Sequence, residues 1–177
     1  MADVSVERVE DISRHDMNDL CDAAEAAIEE GGGFGWIDVP QRNVLENYWR
    51  GVMLVPERSL FVGRLDGVIS GSAQLGRPTK NNEAQSHAAN LTTNFVAPWA
   101  RGYGIGLKLI QEVETLAREE GFKVLNLDVR ATQEAAIGRY HSLGFVRWGE
   151  NPYYARVEAN WVAGYHFYKV LESEISE

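Results

Sequence analysis

The chain has 177 residues, 45% of them hydrophobic and 24% charged, which is the size and composition of one globular domain with its own core. A formal net charge of -9 disfavours nucleic acid and anionic membranes as partners, because both bind basic surfaces. No apolar run approaches the roughly 18 residues of a membrane span, and the first residues lack the basic-then-apolar pattern of a secretion signal.

The single cysteine, Cys21, excludes an internal disulfide framework and fits a reducing compartment. Its place in an alanine-rich helical pattern indicates a buried, structural residue. We therefore expect a cytoplasmic protein with no nucleic-acid and no membrane partner. The acidic surface is compatible with a cationic substrate such as an amine.

The N-terminal elements are a strand and two helices. Residues 4–9 alternate between apolar and polar side chains, as a half-buried strand does. A helix follows, with Asp11 or Ser13 as its N-cap and the glycines at 31–33 as its stop signal. A second helix is predicted to start near Pro40.

The middle of the chain is predicted to form strands. Their apolar patterns lie at residues 60–65, 68–75 and 91–96. Asp66 and Gly67 join the first two strands as a hairpin, because a two-residue type I′ turn needs positive φ at both positions. The polar stretch at 77–84 reads as an exposed loop, and Pro98 ends the third strand.

The C-terminal half contains the strongest helical pattern, which follows a glycine-rich turn and ends at Gly121. A strand at 124–129, a helix at about 133–142 and two further strands complete the chain, with a turn predicted at Pro152. The strand–helix–strand unit around the strongest helix predicts a parallel crossover. The element order predicts a mixed α/β sheet with helices on both faces.

The glycine-rich turn predicts an anion site. It comprises Arg101, Gly102, Tyr103, Gly104, Ile105 and Gly106. The first amides of a helix have no helical partner, and the helix dipole places partial positive charge there. Alternating glycines let the backbone approach a phosphate closely. The spacing does not match a Walker A loop or the G-x-G-x-x-G dinucleotide fingerprint.

Two stretches, FVAPWARGYGIG at 95–106 and AIGRYHSLGF at 136–145, resemble the GNAT superfamily of N-acetyltransferases. The resemblance covers most of the chain and implies a single acyl-CoA N-acyltransferase domain over residues 1–177. It implies a mostly antiparallel, splayed central sheet of about seven strands. Acetyl-CoA is the implied co-substrate, with its diphosphate on the backbone of residues 101–106.

The resemblance also assigns further cofactor contacts. The backbone of Phe95 and Val96 is expected to pair with the pantetheine arm like an added strand. Ala136 belongs to the same cofactor-binding stretch. Gln133 stands where the family often has an asparagine, and Thr132 is an alternative side chain for that contact.

The implied reaction needs an acid for the departing thiolate and a base for the amine. Tyr140 lies where the family places its general-acid tyrosine, although a tyrosine on a helix can equally be a core residue. The pattern is closest to tabtoxin-resistance-type acetyltransferases, which carry a glutamate as candidate base where this chain has Asn90. Asparagine cannot take a proton, so ordered water, His87 and Asp128 remain the alternatives.

The acceptor region is predicted near the glycines at 31–33. Phe34 and Trp36 either line the acceptor pocket, as the family's helix-connecting segment often does, or anchor an ordinary connector. Tyr153, Tyr154 and Trp161 form the opposite wall or a homodimer contact. No histidine has metal-ligand spacing, so no metal is expected.

The activity expected from the resemblance is transfer of the acetyl group to a primary amine of a small molecule, by direct attack in a ternary complex. A protein or peptide N-acetyltransferase and a non-catalytic acyl-CoA sensor are the alternatives.

Overall fold

A computed structural model describes residues 1–32 and 34–172. The helices of this part of the chain are α1 (Arg14–Glu29), α2 (Arg42–Leu54), α3 (Ile105–Glu119) and α4 (Glu134–Ser142). The strands are β1 (Val4–Val9), β2 (Arg58–Leu65), β3 (Val68–Gly76), β4 (Ala88–Val96), β5 (Val124–Arg130), β6 (Val146–Val157) and β7 (Asn160–Val170). Gly33, the last of the predicted stop glycines, lies outside the described residues.

The strands form one seven-stranded sheet in the order β1-β2-β3-β4-β5-β7-β6. β4 and β5 pair in parallel, whereas the β1–β2, β2–β3, β5–β7 and β6–β7 pairs are antiparallel. The parallel pair flanks α3 in the chain, as a crossover requires. This confirms the predicted mixed, mostly antiparallel sheet.

The chain divides into two compact units, which are described separately. Unit 1 comprises Met1–Arg77 and Leu91–Leu116, and unit 2 comprises Pro78–Asn90 and Ala117–Glu177. Unit 1 holds β1, β2, β3 and most of β4, and unit 2 holds the start of β4 with β5, β7 and β6. The assignment of residues 1–177 to one domain remains a prediction.

Unit 1 carries helices on both faces of its strands. Leu60 and Val62 of β2 belong to the core formed with α1 and α2. Gly63, the next residue along β2, faces the other way: a Cβ placed on it would lie 2.4 Å from Cγ2 of Ile105 in α3. The alternation of a β-strand therefore distributes the helices over the two faces, as predicted.

The predicted helix cap, hairpin turn and buried cysteine of unit 1 are confirmed. The Ser13 hydroxyl accepts a hydrogen bond from the Asp16 amide at 3.0 Å and caps α1. Asp66 and Gly67 have φ of 51° and 86°, the left-handed pair of a type I′ hairpin. Cys21 is fully buried, and its burial raises the pKa of the thiol to about 11, which suits a structural residue.

The largest differences from the sequence-based expectation lie in β4 and β6. β4 begins at Ala88 rather than residue 91, because the three earlier residues pair with β5 from Val124 onward. Pro152 lies inside β6 rather than in a turn, at a register irregularity next to Asn151. β6 is an edge strand, and Pro152 lies in the irregular stretch where the β6–β7 register has no paired residue, so its missing amide hydrogen is tolerated.

The last turn instead lies at Glu158 and Ala159, whose φ values are 49° and 69°. Those two positions join β6 to β7 as a hairpin. Neither residue is a glycine or asparagine, so the usual composition signal for a positive-φ hairpin turn is missing from the sequence.

No helix within residues 1–32 and 34–172 is both long and apolar enough to cross a membrane.

Candidate active site

The glycine-rich turn of unit 1 presents open backbone at the start of α3. Gly102 and Gly104 have φ of 87° and 81°, and nothing lies within 4 Å of a Cβ built on either. The amide of Lys108 donates to the Gly104 carbonyl at 3.1 Å, which begins the helical hydrogen-bond ladder. The amides ahead of it are those that a helix leaves without a helical partner. This geometry suits close approach of an anion.

Arg101 is tied back to its own unit. Its guanidinium forms an ion pair with Glu30, and its Nε donates to the Val96 carbonyl at 3.4 Å. The side chain therefore braces the turn against the end of β4. A carbonyl oxygen has two lone pairs, so this long hydrogen bond leaves acceptor capacity at Val96.

Phe95 and the aromatic residues predicted for acceptor binding form one cluster in unit 1. Phe34 stacks on Phe95 with ring centroids 5.0 Å apart, and it also contacts Trp49 at 5.4 Å. Phe34 and Trp36 are both half-buried against the core of α1 and α2. These contacts favour the anchoring alternative, and the acceptor-lining role remains a prediction.

A series of side-chain hydrogen bonds, which the sequence did not indicate, lies beside this aromatic cluster. Gln74 is fully buried; it accepts from Arg58 at 3.2 Å and donates to the Tyr48 hydroxyl at 3.1 Å. The Tyr48 hydroxyl lies 3.4 Å from Oγ1 of Thr93. Thr93 has φ of 52°, a strained conformation for a β-branched residue. These hydrogen bonds therefore end at the left-handed residue of β4, two positions before Phe95.

Unit 2 contains a cavity of about 510 Å³. The polar and aromatic side chains of its lining are Gln85, His87, Asn90, Asn126, Asp128, Trp148, His166, Phe167 and Tyr168. Three predicted positions meet here: the base candidates His87 and Asp128, and Asn90, the position at which the family resemblance implied a glutamate. The strand register explains the grouping, since Asn90 lies opposite Asn126 and Asp128 lies opposite His166.

Asp128 is held by a tyrosine. The Tyr154 hydroxyl donates a hydrogen bond to Oδ2 of Asp128. Burial first, and then the hydrogen bond to Asp128, raise the pKa of Tyr154 well above its usual value. Tyr154 therefore stays protonated and acts as a fixed donor, so Asp128 is an oriented carboxylate.

Gly164 makes room for this pair. A Cβ on Gly164 would lie 2.1 Å from Cγ of Tyr154, so the ring rests directly on the β7 backbone. Sequence reasoning did not single out Gly164, although a glycine inside a strand is the usual signal for a close approach.

His166 was also missed as a site residue. Its ring is half-buried, 5.4 Å from the Trp148 ring and 6.1 Å from the Tyr154 ring. Within the described residues, its ring nitrogens have no hydrogen bond or ion pair. Only the pairing of β5 with β7 places His166 opposite Asp128, and a single sequence does not reveal this register. His87, in contrast, is exposed and precedes β4.

Tyr140 is a packed residue of unit 2. It is 4% exposed, and its ring lies 5.8 Å from Phe145 and 6.0 Å from Phe167. Its charge would also raise the pKa of Tyr154, so the two phenols lie within electrostatic range. This environment is that of a core tyrosine, the alternative to a general acid. The acid role of Tyr140 remains a prediction.

The remaining predicted cofactor residues surround the start of α4. Gln133 is the N-cap residue, and its side chain makes no capping hydrogen bond. Thr132 is exposed, and Ala136 is half-buried on the first turn. Their contacts with a cofactor remain predictions.

No group of three histidine, cysteine, aspartate or glutamate side chains in the described part of the chain could hold a metal ion. The expectation of metal-free chemistry remains a prediction.

Comparison with known proteins identifies the family. The profile described as Acetyltransferase (GNAT) family matches residues 18–145, which is most of the chain. This chain is a GNAT-family acetyltransferase. An uncharacterised N-acetyltransferase of Azospirillum brasilense, encoded in the hisH-hisA intergenic region, is 62% identical over 133 residues, covering 75% of this chain and 79% of the relative.

Two solved acetyltransferase structures share the fold. The Salmonella typhimurium protein yncA, solved with acetyl-CoA as its cofactor, has a TM-score of 0.77 at 17% identity, covering 98% of this chain and 96% of that chain. A phosphinothricin acetyltransferase of Sinorhizobium meliloti, solved in complex with acetyl-CoA, has a TM-score of 0.75 at 17% identity, covering 97% and 90%. At identities this low, the similarity to these two structures concerns the fold alone.

Proposed function

We propose that this GNAT protein transfers the acetyl group of acetyl-CoA to a primary amine of a small molecule. The observation that carries the proposal is the turn before α3, where Gly102 and Gly104 adopt left-handed conformations with open space in front of them. The N-terminus of a 15-residue helix then offers amides and a dipole to the diphosphate. Two proteins of the same fold were solved with acetyl-CoA, which supports this choice of donor.

The proposed reaction is direct attack within a ternary complex. The neutral amine nitrogen forms a bond to the thioester carbonyl carbon, and the carbon–sulfur bond breaks. Tyr140 supplies the proton that the departing thiolate takes up. The nitrogen loses its second proton as the amide forms, and this proton passes through solvent to restore the Tyr140 hydroxyl. An alkyl ammonium has a pKa of about 10.4, so the amine must first lose a proton. The proposal gives Phe95, Val96, Thr132, Gln133 and Ala136 the cofactor contacts that the family resemblance implies.

A small acceptor is favoured over a peptide. The unit 2 cavity of about 510 Å³ lies within the usual range of roughly 300–1,000 Å³ for small-molecule sites. The formal net charge of -9 favours a cationic acceptor over an anionic one.

The donor site is tested with Gly104→Glu, which places a carboxylate in the proposed phosphate site. We expect calorimetry to detect no acetyl-CoA binding by this variant. Gly104→Ala, which adds the same backbone strain without the charge, should retain measurable binding. Gly51→Glu is the matched control, since a Cβ at this helical position of α2 meets nothing within 4 Å. Unchanged affinity in Gly104→Glu would contradict the proposed donor site.

The acceptor class is tested by thiol release from acetyl-CoA with a panel of small primary amines and of peptides. Turnover of an amine supports the proposal, and turnover of peptides alone would assign the protein to peptide acetylation. Acetyl-CoA binding without turnover of any acceptor would leave a sensor in place of the enzyme.

A further inference from the structure

We propose that the unit 2 cavity binds the acceptor as an arylalkyl ammonium ion and that His166 takes its proton. This inference rests on the proposed amine acetyltransferase activity and deepens it, because sequence reasoning left the base open between ordered water, His87 and Asp128.

The charge of the cavity selects a cation. Among the described residues that line it, Asp128 is the one formally charged side chain, and no lysine or arginine is present. Tyr154 donates to Oδ2 of Asp128, and Oδ1 has no hydrogen-bond partner within the described residues. One carboxylate oxygen is therefore available to an ammonium group. An anionic acceptor would meet this carboxylate with no compensating charge.

The walls of the cavity suit a flat, apolar body next to the ammonium. Trp148 and Tyr168 line it together with Phe167, which is buried. Trp148 is 65% exposed, so its indole face is free to cover a ligand. Aromatic faces attract cations as well as apolar groups. We therefore infer a primary amine carried on an aromatic or similarly flat group.

His166 is the rigidly placed base of this cavity. It lies on β7, which is paired on both sides: Asp128 of β5 is its partner on one side and Gly149 of β6 on the other. Its ring contacts Trp148 and Tyr154, and its nitrogens carry no hydrogen bond to a described residue. A neutral imidazole nitrogen in that position can accept a proton.

The proton moves from the ammonium group of the acceptor to His166. The ammonium N–H bond breaks, and the proton passes to a ring nitrogen lone pair of His166. The resulting imidazolium lies directly across the strand pair from the Asp128 carboxylate, which stabilises it. The released amine lone pair then forms the carbon–nitrogen bond to the acetyl group, and the imidazolium returns its proton to solvent.

Other ionisable groups surround His166. Asp128 and Arg130 lie on β5, Tyr154 on β6 and Tyr168 on β7. His87, the residue before β4, lines the same cavity. The pKa of Tyr154 is raised by burial and by Asp128, so this phenol stays protonated across the neutral range. The two imidazoles, His87 and His166, are therefore the candidate proton acceptors that an experiment has to distinguish.

The first experiment is a pH profile of kcat/KM with acetyl-CoA and 2-phenylethylamine. We expect the wild-type profile to have a limb that rises with pH. His166→Gln should lose this limb and about 100-fold in kcat/KM at neutral pH, within the usual 10²–10⁴ for a general base, while acetyl-CoA affinity is kept. His87→Gln should keep the limb. His15→Gln, at an exposed position of unit 1, is the unchanged control. Loss of the limb in His87→Gln but not in His166→Gln would overturn the proposal.

The second experiment does not depend on turnover. NMR follows the imidazole resonances of His166 while 2-phenylethylamine or its neutral analogue 2-phenylethanol is added to the wild-type protein. We expect the amine to shift these resonances much more than the alcohol. Asp128→Asn keeps an oxygen for Tyr154 and should remove the preference for the amine.

The two experiments separate the two proposals. An amine that is acetylated but leaves the His166 resonances unmoved overturns the cavity assignment and leaves the acetyltransferase in place. An amine that moves them without any acetylated product in the panel overturns the proposed function and supports an amine site. Unmoved resonances without any product overturn both.

Discussion

The proposed acid role of Tyr140 depends on its hydroxyl group and can be tested by removing that group. Tyr140→Phe keeps the ring that packs on Phe145 and Phe167 and removes the proposed acid alone. We expect kcat to fall about 10²–10⁴-fold, with the acetyl-CoA dissociation constant changed by about twofold or less. Steady-state kinetics and calorimetry measure the two quantities. Equal losses in both would make Tyr140 a packing residue.

Asp16 gives a pH prediction for stability. Its carboxylate receives hydrogen bonds from Arg64 at 2.7 and 3.1 Å, and these hydrogen bonds hold the pKa of Asp16 below its ordinary 3.8. A depressed carboxyl pKa stabilises the fold above the unfolded-state value, and this contribution is lost as the pH falls through the folded-state value. Asp16→Asn should therefore lower the free energy of unfolding by about 1–2 kcal/mol at pH 7, and the difference should disappear in acid.

Urea denaturation at neutral and acidic pH measures this difference. Glu10→Gln is the control, because Glu10 pairs with Arg8 at 3.4 Å with its side chain 81% exposed. Such surface pairs contribute little to stability. An Asp16→Asn penalty that persisted unchanged in acid would show that the lost ion pair is not its cause.

At the scale of elements, the contact between Gly164 and Tyr154 sets the geometry of β6 on β7. Gly164→Ala would drive a methyl group into the Tyr154 ring, since the built Cβ lies 2.1 Å from Cγ. We expect a loss of about 1–3 kcal/mol in the free energy of unfolding, as for other overpacked sites. Tyr154→Ala should remove most of that penalty. Urea denaturation of both single variants and the double variant measures the coupling.

A Gly164→Ala penalty of equal size with and without the Tyr154 ring would locate the strain in the β7 backbone instead.

The helices and hairpins were predictable because their signals are local. Ser13 caps α1, and Asp66-Gly67 forms the positive-φ turn that its composition indicates. The start of β4 was not predictable, since residues 88–90 become a strand by pairing with β5, which lies more than 30 positions later in the chain. The turn predicted at Pro152 is wrong, because a proline is tolerated within β6 only through the position of this strand at the edge of the sheet.

At the scale of the whole molecule, the sequence predicted the family, the mixed and mostly antiparallel sheet, and the glycine-rich turn before α3. Those features depend on glycine positions and on apolar periodicity within short windows. The base did not follow from the sequence: His166 becomes a candidate only when β7 aligns it with Asp128. Residues that act together from different strands are grouped by register, and register is a property of the assembled sheet.

The proline in β6 affects whether copies of the protein can associate through the edge of the sheet. β6 is the last strand in the sheet order, and its pairing register is broken between Asn151 and Ala155. An unbroken twelve-residue outer strand would offer a template onto which a second copy could add its own strand. Because Pro152 has no amide hydrogen to donate and the register is irregular beside it, this edge is a poor template for adding strands of other copies.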